Sequence, residues 1–275
     1  VNILIGAAVV LVVVALTVTA MLLVRRGAPE GSRFTDGDRA SGVFGVLATG
    51  FSVLLGFIVF LSFSTYDQAR AGAEDESVIV AQQLQTAQFF SEPYRTELTG
   101  ELVCYARNVA GAEWEAMEDG TLGDSINPWG VAMFQTVRDV EPAEGAEQSA
   151  YDRWMDQTTA RQEARNDRVH AVGGVVPSTL WIALIVVSVV IFLYLLFFAD
   201  SGEGAVTQGV LMGSVSATIT ILLLLIVFFD RPYSGGVGSL QPDSMERALV
   251  ILDEAMAAED IHVEPPCGEE GLARE

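Results

Sequence analysis

The sequence predicts an all-α integral membrane protein with four transmembrane helices and a helical water-exposed domain between helices two and three. Three observations carry that prediction. Four apolar runs, at about residues 3–24, 43–63, 175–198 and 205–229, each reach the 20 or so residues that a hydrocarbon core requires. The chain of 275 residues is 51% apolar yet carries a formal net charge of -21, so apolar and acidic residues must be segregated along it. The segment between the second and third runs collects 20 acidic residues and 8 arginines, and its Gly and Pro punctuation divides it into helix-length pieces.

Four regions follow: residues 1–63, a first helix pair with a short basic loop; 64–172, the acidic helical aqueous domain; 173–232, a second helix pair; and 233–275, an acidic tail with one amphipathic helix. The first run has no charge before Arg25 and Arg26. It reads as a retained anchor rather than a cleaved leader, because the basic pair follows the apolar stretch instead of preceding it. The loop after it holds Arg25, Arg26, Arg33 and Arg39 against Glu30, Asp36 and Asp38.

The second run organises the chain. Gly42, Gly45, Thr49, Ser52 and Gly56 are spaced by three, four, three and four residues, which places all five on one helical face. From Ser64 the helix continues into water, with no glycine or proline until Gly72. In the aqueous segment, Pro93 opens a helix that runs through Leu102, Tyr105, Val109 and Trp114 to about Met117, with Ser91 as its candidate cap. A loop follows at Asp119–Asp124. Pro128 and Trp129 open a helix containing Val131, Met133, Phe134 and Val137, and residues 141–145 break it. Another helix runs from about Glu147 toward His170, with Tyr151, Trp154 and Met155 as apolar contacts. Gly173, Gly174 and Pro177 mark a bend before the third run. The tail carries a helix at about 243–257, and the residues from Glu264 onward are expected to be poorly ordered.

Charge and motif content exclude several functions. A net charge of -21 opposes nucleic-acid binding, which needs clustered positive charge. All 15 basic residues are arginine. Cys104 and Cys267 are the two cysteines, with no metal-ligand spacing to His170 or His262, so no metal or cofactor is expected. No nucleophile elbow, zinc-protease motif or phosphate loop occurs, and an enzyme is not expected. Cys104 and Cys267 are a candidate disulfide, the alternative being two free thiols.

Two groups of residues are candidates for function. None of the four spans carries an ionisable residue well inside its apolar core, which disfavours a proton-coupled transporter. Their polar content is glycine and hydroxyl. The stripe Gly42, Gly45, Thr49, Ser52 and Gly56, together with Thr207, Ser214 and Thr218 in span four, is either a packing seam or a pore lining. Gly209 and Gly213 form a GxxxG pair beside them. At the membrane boundary, Asp67, Arg70 and Glu74 share a face of helix two, and Arg161, Arg165 and Arg168 share a face of the helix entering span three. Asp67 is expected near Arg168, and Glu74 near Arg161 or Arg165, with Asp230 and Arg231 at the same level. The set is either a group of ion pairs that fix register or a charged vestibule.

The run from Gly56-Phe57 through Tyr66-Asp67-Gln68-Ala69-Arg70, the pair Trp114 and Met117, Leu180-Trp181, and Asp230-Arg231-Pro232-Tyr233 with Gly235 resemble the bacterial bestrophin-like membrane proteins. The resemblance spans most of residues 43–245. It implies the same layout of two spans, a helical domain and two spans. It also implies ion conduction in a bacterial cell membrane, by its remote likeness to bestrophins, which are oligomeric anion channels; the seam of small residues suggests a homo-oligomer. In bestrophins the large domain is cytoplasmic. Here Arg25 and Arg26, abutting a first span with an uncharged N-terminal flank, place the termini and helical domain outside the cytoplasm, where both cysteines could be oxidised. The acidic balance also fits poorly with attracting anions. Two functional readings therefore stand: an oligomeric ion channel in the lipid bilayer, or a membrane-anchored protein whose acidic helical domain binds another protein.

Overall fold

The computed structural model describes residues 3–28, 30, 33–34, 36–122, 126–143 and 145–274. Its named elements are helices: α1 (Ile3–Arg25), α2 (Gly37–Ala87), α3 (Tyr94–Asn108), a π-helical turn (Val109–Glu113), α4 (Trp114–Glu118), α5 (Pro128–Arg138), α6 (Ala146–His170), α7 (Ser178–Phe197), α8 (Ala205–Asp230) and α9 (Asp243–Ala258). Helices α1, α2, α7 and α8 are long and apolar enough to cross a membrane. Two compact units result. The first contains Val1–Thr65, Gly174–Arg231 and Gly235–Gly238; the second contains Tyr66–Gly173, Pro232–Ser234 and Ser239–Glu275.

In the first unit, Phe51, Leu55, Ile58 and Ser62 of α2 recur every three or four residues and form its inward face. The three apolar members pack with Leu184 and Ile191 of α7 and Met212 and Ile219 of α8. The GxxxG pair lets α8 approach α1: a Cβ on Gly213 would lie 3.4 Å from Val14, and one on Gly209 would lie 3.7 Å from Met21 and Val18. Arg25, in the last turn of α1, donates to the carbonyls of Asp200, Ser201 and Glu203. Asp230 accepts from the backbone N–H groups of Val175 at 2.6 Å and Val176 at 2.8 Å. It thereby satisfies donors next to Pro177, which cannot donate itself.

The second unit has its own core, formed by Val80, Leu84 and Phe90 with Leu98, Leu102, Tyr105, Trp129, Met133, Trp154 and Leu252. Helix α2 meets α6 closely at Gly72, where a Cβ would stand 2.6 Å from the Ala164 carbonyl oxygen. The π-helical turn sits where α3 would otherwise continue into α4. Its wider pitch brings residues five apart onto one face, so Asn108 and Glu113 both receive hydrogen bonds from Asn127 Nδ2, each at 3.0 Å.

Several expectations require correction. Ser91 does not cap α3: that helix begins after Pro93 without a side-chain cap, while the Glu92 carboxylate accepts from the Thr96 backbone and hydroxyl. Helix α5 contains Val131, Met133, Phe134 and Val137 as expected, with Met133 and Val137 on its buried face and Val131 and Phe134 exposed. Residues 265–274 are docked against α3 rather than poorly ordered. Cys267 is bonded to Cys104, Trp129 Nε1 donates to the Gly271 carbonyl at 2.6 Å, and Gly271 lies against the Asn108 backbone too closely for any side chain. Low apolar content hid that docking, which rests on a covalent bond and backbone contacts. Gly123 and Asp124 of the loop, and Glu144 of the break before α6, lie outside the described residues.

Candidate functional site

The small-residue stripe of α2 lies off the core of the first unit. Gly42, Gly45, Thr49, Ser52 and Gly56 are all exposed, roughly a third of a turn from the Phe51–Leu55–Ile58 face. Among the described residues, no neighbouring heavy atom stands within 4 Å of a Cβ built on Gly42, Gly45 or Gly56. The Ser52 hydroxyl donates to the Ala48 carbonyl of its own helix at 2.8 Å. On α8, Thr207, Ser214 and Thr218 are likewise exposed, and Ser214 and Thr218 donate to carbonyls within α8. Neither set is a seam within this chain. The close packing expected of small residues falls instead on Gly209 and Gly213.

In the second unit the charged residues pair differently from the expectation. Arg168 is fully buried and meets Glu76, not Asp67: Nε donates to Oε2 at 2.6 Å and Nη2 to Oε1 at 3.1 Å. Nη2 also donates to Glu113 Oε1 at 2.6 Å, where Arg165 Nε joins at 3.1 Å. Glu74 pairs with Arg70 on the exposed side of α2, at 3.1 Å. The reason is periodicity: Ala69, Gly72, Glu76, Val80 and Gln83 share the face turned to α6, and Asp67 and Glu74 fall off it. The signal for that face was the small pair Ala69 and Gly72, which permits close approach. Glu76, Glu113, Asn127 and Tyr105, missed from the sequence, complete the cluster. Asp230 holds the turn before α7, and its neighbour Arg231 is exposed.

The cluster is electrostatically matched. Burial would raise the Glu113 pKa, but Arg168 and Arg165 outweigh it and hold the carboxyl below its usual range. Burial also works against the Arg168 charge, and Glu76 and Glu113 overcome it, raising the pKa. The Tyr105 phenol, pushed well above its ordinary value by burial and by Glu76, remains a donor, 2.5 Å from Glu76 Oε1. Tyr233 donates to the Arg168 carbonyl at 2.7 Å, Met117 Sδ lies 3.2 Å from Nη1, and the Trp114 ring centre is 5.9 Å from the guanidinium carbon. Trp114, Met117 and Tyr233 of the family-like motifs thus converge on one arginine. Among the described residues no group of three or more His, Cys, Asp or Glu could hold a metal ion.

The bestrophin-like domain matches residues 11–245. The chain belongs to the bestrophin-like family. Solved structures share the fold of this bestrophin-like protein at low identity. A single-residue variant of the bacterial bestrophin homolog from Klebsiella pneumoniae matches with a TM-score of 0.67 at 11% identity, over 90% of this chain and 99% of that one. The homolog from the same organism solved by zinc phasing matches with a TM-score of 0.65 at 11% identity, over 92% and 99% of the two chains. A sequence comparison with curated proteins returns no match.

Proposed function

We propose that this bestrophin-like protein forms a homo-oligomeric ion channel whose path is lined by the exposed small-residue face of α2. One observation carries the reading: a membrane-spanning helix packs Phe51, Leu55 and Ile58 into the core and leaves the stripe Gly42, Gly45, Thr49, Ser52 and Gly56 uncovered, beside exposed Val46, Val53, Phe57 and Phe60. A lipid-facing helix gains nothing from a bare glycine and hydroxyl stripe, whereas a helix facing a shared axis gains room and polar atoms. Membership of the bestrophin-like family supports conduction, and anions are the ions its remote relatives suggest. The Cys104–Cys267 bond supports placing the second unit in an oxidising compartment outside a bacterial cytoplasm.

The test is ion efflux from liposomes holding the purified full chain, with its oligomeric mass measured in parallel. Efflux from an oligomer, abolished by Ser52→Leu or Gly56→Leu without loss of assembly, is the expected result. A folded oligomer that passes no ions over a range of pH and calcium overturns it.

A further inference from the structure

Arg161 is a buried cation without a contact ion pair, favoured by Glu76 only from beyond contact distance. It is 2% exposed, yet no carboxylate oxygen among the described residues lies within the 4.0 Å of an ion pair. Its Nη1 donates to the neutral Gln83 Oε1 at 2.6 Å and contacts Met133 Sδ at 3.3 Å, and its guanidinium carbon lies 4.5 Å from the Tyr105 ring centre. The Nε and Nη2 edge has no hydrogen-bond partner among the described residues. That edge is the one with which Arg168, two turns along α6, grips Glu76. Burial pulls the Arg161 pKa below its ordinary value, whereas paired Arg168 is raised. An unpaired buried charge is costly, and a bound anion would offset that cost.

Arg161 lines a cavity of about 320 Å³ in the second unit, within the size range of small-ligand sites. Asn127 and Gln162 add polar atoms to its wall, and Arg165, held by Glu113 through its Nε, adds a second guanidinium. Ile126, Val131 and Phe134 add exposed apolar surface, which the α5 core does not use. Neighbouring Glu113 is already balanced by Arg165 and Arg168, so the cavity offers one uncompensated positive charge.

We propose that this cavity binds a small organic monocarboxylate, its carboxylate on the Nε and Nη2 edge of Arg161 and its apolar body against Val131 and Phe134. A planar carboxylate matches the guanidinium fork with two parallel hydrogen bonds, which a spherical halide cannot do. A phosphate dianion would have to compete with Glu113 for Arg165, the second arginine of the wall, to balance its second charge. The site is separate from the α2 stripe and does not depend on conduction.

The test is calorimetric titration and thermal unfolding of the full chain in detergent, with benzoate and hexanoate as probes and benzamide, chloride and inorganic phosphate as controls. Saturable binding of both carboxylates is expected, with a raised unfolding midpoint and no effect of benzamide. Arg161→Met should weaken binding at least about tenfold. It should leave the unliganded midpoint unchanged or raised, because it removes an unpaired buried charge. If Arg161→Met does not fold, Gly130→Leu serves instead. A Cβ at Gly130 meets only the Tyr105 ring, at 3.7 Å, so the longer side chain fills the cavity and should abolish binding with Arg161 intact. The proposal is overturned if neither carboxylate binds, if chloride or phosphate binds as tightly, or if binding survives the available substitution.

Discussion

Arg168 holds Glu76 through two parallel hydrogen bonds, of 2.6 Å and 3.1 Å, and neither side chain is exposed. Such a pair contributes little net stability over a well-packed apolar substitute, yet breaking one side of it leaves a buried charge unmatched. Arg168→Met alone strands the buried Glu76, leaves Glu113 to Arg165 alone, and should lower stability by about 3–5 kcal/mol. Arg168→Lys should recover only part, since a lysine cannot supply the planar fork. The double variant Glu76→Leu with Arg168→Met should unfold at a higher temperature than Arg168→Met alone. Midpoints of the detergent-solubilised chain check this, and an Arg168→Met midpoint equal to that of the unaltered protein would remove the argument.

Gly72 offers a sharper test of the α2–α6 contact. Alanine normally favours a helix interior over glycine by about 1 kcal/mol. At Gly72 the added methyl would stand 2.6 Å from the Ala164 carbonyl oxygen and 2.8 Å from the Arg168 amide nitrogen, both backbone atoms. The clash should win, and Gly72→Ala should destabilise by about 1–3 kcal/mol. Gly50, with nothing within 4 Å, should tolerate alanine without loss. Equal midpoints for the two variants would count against this close approach.

These two cases mark what the sequence made legible. Apolar length fixed the four spans to within a few residues, except that α2 begins at Gly37 and continues to Ala87. Its aqueous half was readable because no proline interrupts it. The polar cluster was half readable. Arg161, Arg165 and Arg168 announced a charged face on α6, but their partners lie on a face of α2 marked only by Ala69 and Gly72, and in a π-helical turn without a sequence signature. Asp67 and Glu74 were the more conspicuous carboxylates, and nine residues, half a turn out of phase, separate Asp67 from Glu76. Whether the α2 stripe is covered could not be read from spacing alone. The same three-and-four pattern serves a packing seam or a pore lining, and the position of Phe51, Leu55 and Ile58 places the stripe off this chain's own core.

Glu101 gives the second unit a pH dependence. Burial raises its pKa from 4.5 to about 7, with the Thr136 hydroxyl, 3.0 Å away, opposing and Glu97 adding to the rise. A raised carboxyl pKa means that the folded chain holds the proton more tightly than the unfolded one. The associated stability is therefore full below about pH 4.5 and is lost as pH rises through about 7. The unscreened value would be about 3 kcal/mol, and solvent screening at this half-buried group reduces it to about 1–2 kcal/mol. Glu101→Gln should flatten that part of the profile and leave the variant more stable than the unaltered chain at pH 8. Unfolding midpoints across the range check it; parallel profiles for the two proteins would show that Glu101 titrates normally.

The Cys104–Cys267 bond joins α3 to a tail 163 residues away in sequence, and the tail is otherwise fixed by few side chains. Closing so long a loop restricts the unfolded chain by about 4–5 kcal/mol in the loop-entropy description, and strain or residual structure reduces what is measured. Removing the bond should therefore cost the second unit about 2–4 kcal/mol. It should also loosen the tail locally before α3 unfolds, because Gly271 then depends on its backbone contacts and on the Trp129 hydrogen bond at 2.6 Å. The double variant Cys104→Ala with Cys267→Ala should show a lowered midpoint and faster amide exchange at residues 267–274, with α6 exchange changed much less. Thiol labelling of the unreduced protein should find no reactive thiol, and reduction should expose two. Two reactive thiols in protein purified without reductant would mean that the bond does not form in the cell. They would also remove the argument that the second unit lies in an oxidising compartment.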